Sequence, residues 1–139
     1  MVVIDTSVAY KWFSIDKEEH ISYALKLLEA HLHNRETIIA PDIIIYELSN
    51  AWATKTRLSV GKIETFLEDF EELKIKIEPV TFELIGKAIC FAKKYHVSVY
   101  DASYAVLAKE KKCDLVTADS KFSKQTNLPF IKSLDKYSI

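Results

Sequence analysis

Short apolar runs separated by amphipathic segments predict an α/β protein, a three-layer α/β/α sandwich around a central, mainly parallel sheet. Val2, Val3 and Ile4 form an uninterrupted apolar triplet of the kind found in strands buried on both faces, and Ile38, Ile39 and Ala40 repeat it before Pro41. Leu115 to Ala118 makes a third such run, and Ile75 to Val80 and Phe130 to Ile131 are further strand candidates. Lys76 and Glu78 interrupt the run at 75–80, which predicts an edge position. Parallel strands require long crossovers, and the segments between these runs carry helical periodicity.

Ile21, Leu25, Leu28 and Leu32 keep helical spacing behind Asp16 and Glu19, a pair suited to capping. A second helix is expected from Pro41, in its first turn, through Ile44, Leu48 and Trp52. Ile63, Phe66, Leu67, Phe70 and Leu73 follow Ser59, and Ile85, Ala88 and Ala92 follow Thr81, each hydroxyl placed to cap its helix. Another helix runs from about Tyr100 to Lys111, and a short one is expected over Ser120 to Gln125. Tyr10, Trp12 and Phe13 fall on a short helix near the first strand, where aromatic residues ordinarily serve the core or a subunit interface.

A length of 139 residues, 49% of them hydrophobic, with no repeat or linker, suits a single domain over 1–139. Only Gly61 and Gly86 occur, which excludes a phosphate-cradling loop or a dinucleotide fingerprint. Asp5 and Lys11 break the opening apolar run and no later run approaches the length of a membrane span, so a cytoplasmic protein is expected. Cys90 and Cys113 form no CxxC pair and are expected to be buried, reduced thiols. His31 and His33 lack metal-ligand spacing and are expected at the surface, and Ser49 and Ser103 lack a His and Asp relay.

A net charge of -1 excludes a protein-wide basic field, yet the charge is unevenly divided. Residues 1–86 carry 9 Lys+Arg against 15 Asp+Glu, whereas residues 87–139 carry 10 against 5. The second part is therefore expected to present a basic surface, built from Lys109, Lys111, Lys112, Lys121, Lys124 and Lys132.

In parallel α/β sheets ligands bind beyond the carboxyl ends of the strands, where strand order reverses. Asp5 directly follows the first strand and Asp119 the run 115–118, so adjacency of those strands would bring both carboxylates to one rim. Asp101 opens its helix, with the small Ala105 and Ala108 on the same face allowing close approach to the sheet, and Glu47 borders the apolar stripe of Ile44 and Leu48. Singly, each acid has an ordinary use as a cap, a turn residue or a surface group. Gathered together, they repel, raise one another's pKa and call for a cation; an all-oxygen donor set selects Mg²⁺ or Mn²⁺ over zinc.

The phrases VVIDTSV at 2–8, Tyr46-Glu47-Leu48, YDASYAVLA at 100–108 and LVTADSKF at 115–122 together resemble the PIN-domain ribonucleases, especially the VapC-type toxins of toxin–antitoxin pairs, over nearly the whole chain. The resemblance implies that Asp5, Glu47, Asp101 and Asp119 are the catalytic, metal-ligating acids, with Ser7 and Thr117 as supporting hydroxyls. It implies Mg²⁺- or Mn²⁺-dependent hydrolysis of RNA phosphodiester bonds, with single-stranded or looped RNA as substrate. A cognate antitoxin would lay an amphipathic segment near the early helices and insert a basic side chain toward the acids. A homodimer is likewise implied, with Trp12 and Trp52 as candidate interface anchors. Two other readings stay open. A phosphatase or phospho-receiver would want a second acid close to Asp5, where Ser7 stands, and a non-catalytic binding module would leave the acids vestigial.

Overall fold

The computed structural model describes residues 1–14 and 19–139, so Asp16 of the expected capping pair lies outside the described residues. Strands β1 (Val2–Ile4), β2 (Ile38–Pro41), β3 (Lys76–Glu78), β4 (Asp114–Thr117) and β5 (Ile131–Ser133) form one parallel sheet in the order β3-β2-β1-β4-β5. The helices are α1 (Thr6–Trp12), α2 (Ile21–Leu32), α3 (Ile43–Lys55), α4 (Val60–Glu72), α5 (Phe82–Tyr95), α6 (Val99–Lys111) and α7 (Ser120–Thr126). They flank the sheet in an α/β/α sandwich. Strand order runs outward from β1 through β2 to β3, then reverses at β4, and the register of Ile4 with Val116 sets the carboxyl ends of β1 and β4 side by side.

Burial explains the strand sequences. All of β1 is fully buried, as are Ile38, Ile39, Ala40, Leu115 and Val116, so these positions hold apolar residues without alternation. β3 is an edge strand, its exposed Lys76 paired at 3.1 Å with Glu78. Residues 102–108 of α6 are buried without a break, and the alanines at 102, 105 and 108 let this helix lie close on β1, β2 and β4, with α5 packed against it.

The helix starts follow local chemistry. Asp5, Ser59, Thr81, Ser98 and Asp119 each accept a backbone N–H in the first turn of α1, α4, α5, α6 and α7 respectively. Two expectations need correction here. Pro41 closes β2 instead of opening α3, because at the last strand position its missing N–H removes at most one ladder donor, and the helix begins at Ile43. α2 starts behind His20, which makes no side-chain capping bond.

The apolar stripe of α2 also differs from its expected position. Ala24, Leu27 and Ala30 are buried, whereas Leu25 and Leu32 are about half exposed. Small alanines let α2 approach α1 closely, and Trp12 uses that proximity to donate its indole N–H to the Ala24 carbonyl at 2.9 Å. Of the two candidate interface anchors, Trp52 is committed to the core and Trp12 is half-buried against it. Trp12 stacks on Phe70, and Trp52, 1% exposed, packs with Phe13 and Phe66 in the cluster that joins α1, α3 and α4. His31 is half-buried and structural, bonded to the Leu73 carbonyl and the Ile38 N–H. Cys113 is half-buried, but Cys90 is exposed on α5, contrary to expectation, because it lies on the outer side of a helix whose buried residues are Leu84, Ala88 and Ala92.

Glycine is scarce where the backbone would favour it and present where it is not needed. His96, Lys112 and Asn127 end α5, α6 and α7 in the left-handed region, while Gly61 and Gly86 sit inside helices with nothing within 4 Å of an added Cβ. Gly86→Ala is therefore expected to stabilise the protein by about 0.5–1 kcal/mol, and Lys112→Gly, at φ 54, by about 1 kcal/mol. Urea unfolding of both variants checks this; a loss of stability in Gly86→Ala would contradict the open surroundings of that position.

Candidate active site

Asp5 leaves the carboxyl end of β1 and is 7% exposed. Its Oδ1 accepts the Val8 N–H at 3.3 Å and the Ser7 hydroxyl at 2.5 Å, and its Oδ2 accepts the Thr117 hydroxyl at 2.5 Å. Thr117 is the last residue of β4, so the register of β1 on β4 delivers its hydroxyl to Asp5. Ser7 returns the link, its oxygen accepting the Ala118 N–H at 2.8 Å. Thr117 also accepts the Asp119 N–H at 3.0 Å, and Asp119 caps α7 through the Phe122 N–H at 3.0 Å. Both hydroxyls expected to support the acids are thus bonded to Asp5.

Glu47 is held by two side chains that the sequence reading did not single out. Its Oε1 accepts the Tyr104 hydroxyl at 2.5 Å and the Thr6 hydroxyl at 3.1 Å, and those two oxygens are 2.8 Å apart. Tyr104 stands three residues beyond Asp101, one helical turn along α6, and Thr6 directly follows Asp5. That i, i+3 relation within YDASY was the available signal; the partner across the fold was not.

All four expected acids line one cavity of about 530 Å³, with Thr6, Ser7, Lys11, Asn50, Lys55 and Tyr104 also in its wall. Burial pushes Asp5 up from an ordinary 3.8 to about 6, against the lowering effect of the bonds from Ser7, Thr117 and Val8, and the charge of Asp101 adds to the rise. Asp101 is raised as well, first by burial and then by the charges of Glu47 and Asp119. Burial and the neighbouring Glu47 charge raise Tyr104, which keeps its phenol protonated as the donor to Glu47. The donor set is therefore carboxylates that feel one another across a shared cavity. Among the described residues no three of them stand in a group that could hold one ion directly. Mg²⁺ commonly takes one or two carboxylates and keeps several waters, so the oxygen chemistry fits a hard cation bound partly through water.

The raised pKa of Asp5 has a signed consequence. Its folded pKa lies above its unfolded value, so the ionisation penalty is absent below pH 3.8, grows as pH rises toward 6 and is full above it. The rise corresponds to about 3 kcal/mol at most. In EDTA, Asp5→Asn is expected to be more stable than the parent at pH 7.5 by about 1–3 kcal/mol, with the gap shrinking as pH falls from 6 to 4. Urea unfolding across that range checks it; a gap independent of pH would contradict the cost of burying this carboxylate.

Comparison with known proteins places this arrangement in a family. None of the curated proteins matches the sequence. Among solved structures, a toxin–antitoxin complex from Klebsiella pneumoniae matches with a TM-score of 0.72 and 16% identity, covering 100% of each chain. PAE2754 from Pyrobaculum aerophilum matches at 0.68 with 20% identity, over 96% of this chain and 90% of its own. FitAcB from Neisseria gonorrhoeae matches at 0.61 with 20% identity, over 92% and 94%. At these identities the structures share the fold. The family profile for the PIN domain matches residues 2–128, a span that includes all four acids of the cavity, and the chain belongs to the PIN domain family.

Proposed function

We propose that the protein is an Mg²⁺- or Mn²⁺-dependent endoribonuclease and the toxin of a toxin–antitoxin pair. The observation that carries this reading is the convergence of Asp5, Glu47, Asp101 and Asp119 from four separate segments on one cavity at the strand-order reversal. Burial and neighbouring negative charge make ionisation of Asp5 and Asp101 costly, and a divalent cation removes that cost. Asp5 and Asp101, with Asp119 and Glu47 beside them, would hold the ion. When bound it supplies an activated water and stabilises the charge of in-line displacement at phosphorus.

The chain's own groups orient this donor set. Ser7 and Thr117 fix both oxygens of Asp5, and Tyr104 and Thr6 fix Glu47, so the acids are positioned before substrate arrives. Engagement of both Asp5 oxygens by hydroxyls also argues against Asp5 as a phosphate-accepting nucleophile. An antitoxin partner is supported by the Klebsiella complex and by exposed apolar side chains on the early helices, among them Leu25, Leu32 and Tyr46. Homodimerisation rests on the family resemblance. No helix among the described residues is long and apolar enough to cross a membrane.

Purified protein with Mn²⁺ is expected to cleave single-stranded RNA, EDTA to abolish cleavage, and Asp101→Asn to slow it by at least about 100-fold. Calorimetric titration with Mn²⁺ gives a second readout, in which Asp101→Asn binds the ion more weakly than the parent. Equal cleavage by Asp101→Asn and the parent, or no cleavage with either ion, would overturn the assignment. Absence of divalent-ion binding would favour the non-catalytic module.

A further inference from the structure

Two cavities share Asp101 and Asp119 in their walls. The 530 Å³ cavity lies on the α1 and α3 side, and a second, of about 230 Å³, lies on the α7 side. The first carries Lys11 and Lys55 in its wall, and the second carries His96 and Lys121. A wall of carboxylates with cationic or hydrogen-bonding side chains in the recess on either side matches an extended polyanion, whose successive phosphates need positive partners flanking the point where the acids act.

The second recess is built into the fold. Gln125 of α7 donates its amide to the carbonyls of Tyr95 and His96 at 3.0 and 2.5 Å, which fixes the turn between α5 and α6 against α7. Ser98 in the same turn accepts the Asp101 N–H at 3.0 Å, so one turn positions both the acid and the recess beside it.

The basic residues here are mostly not those that the charge division of the chain suggests. Lys109 to Lys112 lie at the far end of α6, about 15 Å from Asp101 at 1.5 Å per residue, and Lys111 is paired with Glu78 at 3.0 Å. Lys132 sits within β5, in register with Val116. Of the six lysines expected to form the basic surface, Lys121 lines the smaller of these two cavities, and Lys11 and Lys55, which line the larger, come from the acidic part of the chain.

We propose that single-stranded RNA crosses the rim from the Lys11 and Lys55 wall into the His96 and Lys121 recess, the two cavities holding the nucleotides on either side of the cleaved bond. The inference rests on the nuclease reading and adds to it the path of the substrate. Lys11, Lys55, His96 and Lys121 act as positioning residues.

Binding of a fluorescein-labelled, mixed-sequence single-stranded RNA of about 12 nucleotides, followed by anisotropy in EDTA over a range of salt, reads the path without cleavage. Lys55→Gln and Lys121→Gln are each expected to weaken binding about 3- to 10-fold and to reduce the slope of log K against log[salt] by about 0.7. Lys26→Gln, which lines neither cavity, leaves affinity and slope unchanged. His96→Gly retains the left-handed backbone at φ 55 and removes only the imidazole, so its weaker binding would not come from misfolding. In Mn²⁺ cleavage assays the losses in all three variants are expected in KM rather than kcat. Unchanged binding and KM in Lys121→Gln and His96→Gly, with the parent still cleaving, would overturn the crossing and leave the nuclease reading standing. A parent that neither binds nor cleaves the RNA removes both.

Discussion

Asp5 is bonded through Ser7 and Thr117 to the end of β4, and this contact joins residues 112 apart in the sequence. It is a consequence of parallel pairing between β1 and β4: once Ile4 faces Val116, the next residues on each strand must meet. The rest of the site extends from it. Thr117 receives the N–H of Asp119 and so sets the start of α7, Ser7 lies in the first turn of α1, and the neighbouring Thr6 reaches Glu47 and Tyr104. One strand register therefore orders four helices around the acids.

That arrangement works against stability. A carboxylate 7% exposed and raised to about 6 is partly protonated only near mild acidity, and at neutral pH it carries charge into a poorly solvated position. Three bonds to Asp5 offset part of the cost, and Asp101 adds to it by repulsion. The core around the site is correspondingly strong, with β1 fully buried, α6 buried along seven successive residues and an aromatic cluster bracing α1 against α3 and α4. Within that frame Asp5 and Glu47 are each fixed by two hydroxyls from separate side chains.

The fold was legible because buried parallel strands leave a compositional trace: VVI, IIA and LVT lack alternation, and Ser59 and Thr81 precede their helices as hydroxyl caps should. Asp5 and Asp119 stood out for the same reason, since they follow such strands, whereas Asp101 and Glu47 stood out from their places on helices; all four line one cavity. Where the reading failed, the deciding term was tertiary. Leu25 and Leu32 fit a helical stripe as well as Ala24 and Leu27 do, and only the close approach of α1 selects the alanines. Trp12 and Trp52 could be assigned to core or interface only by knowing that Phe13, Phe66 and Phe70 meet them. Tyr104 was visible one turn from Asp101, but its bond to Glu47 spans 57 residues and leaves no local mark.

The charge division of the chain illustrates the same limit at the level of the surface. Counting lysines by position places the basic character after residue 87, yet a helix carries charge to both of its ends, and the lysines that close α6 are a helix length away from the aspartate that opens it. Lys121 lies in the first turn of α7, the helix that follows β4, and its place beside the acids comes from the alternation of strand and helix, in which the residue after a strand shares its neighbourhood with those that open the next helix. Lys11 and Lys55 stand in the last turns of α1 and α3, and they line the cavity of the acids through the packing of those helices, a tertiary effect that position in the chain does not reveal.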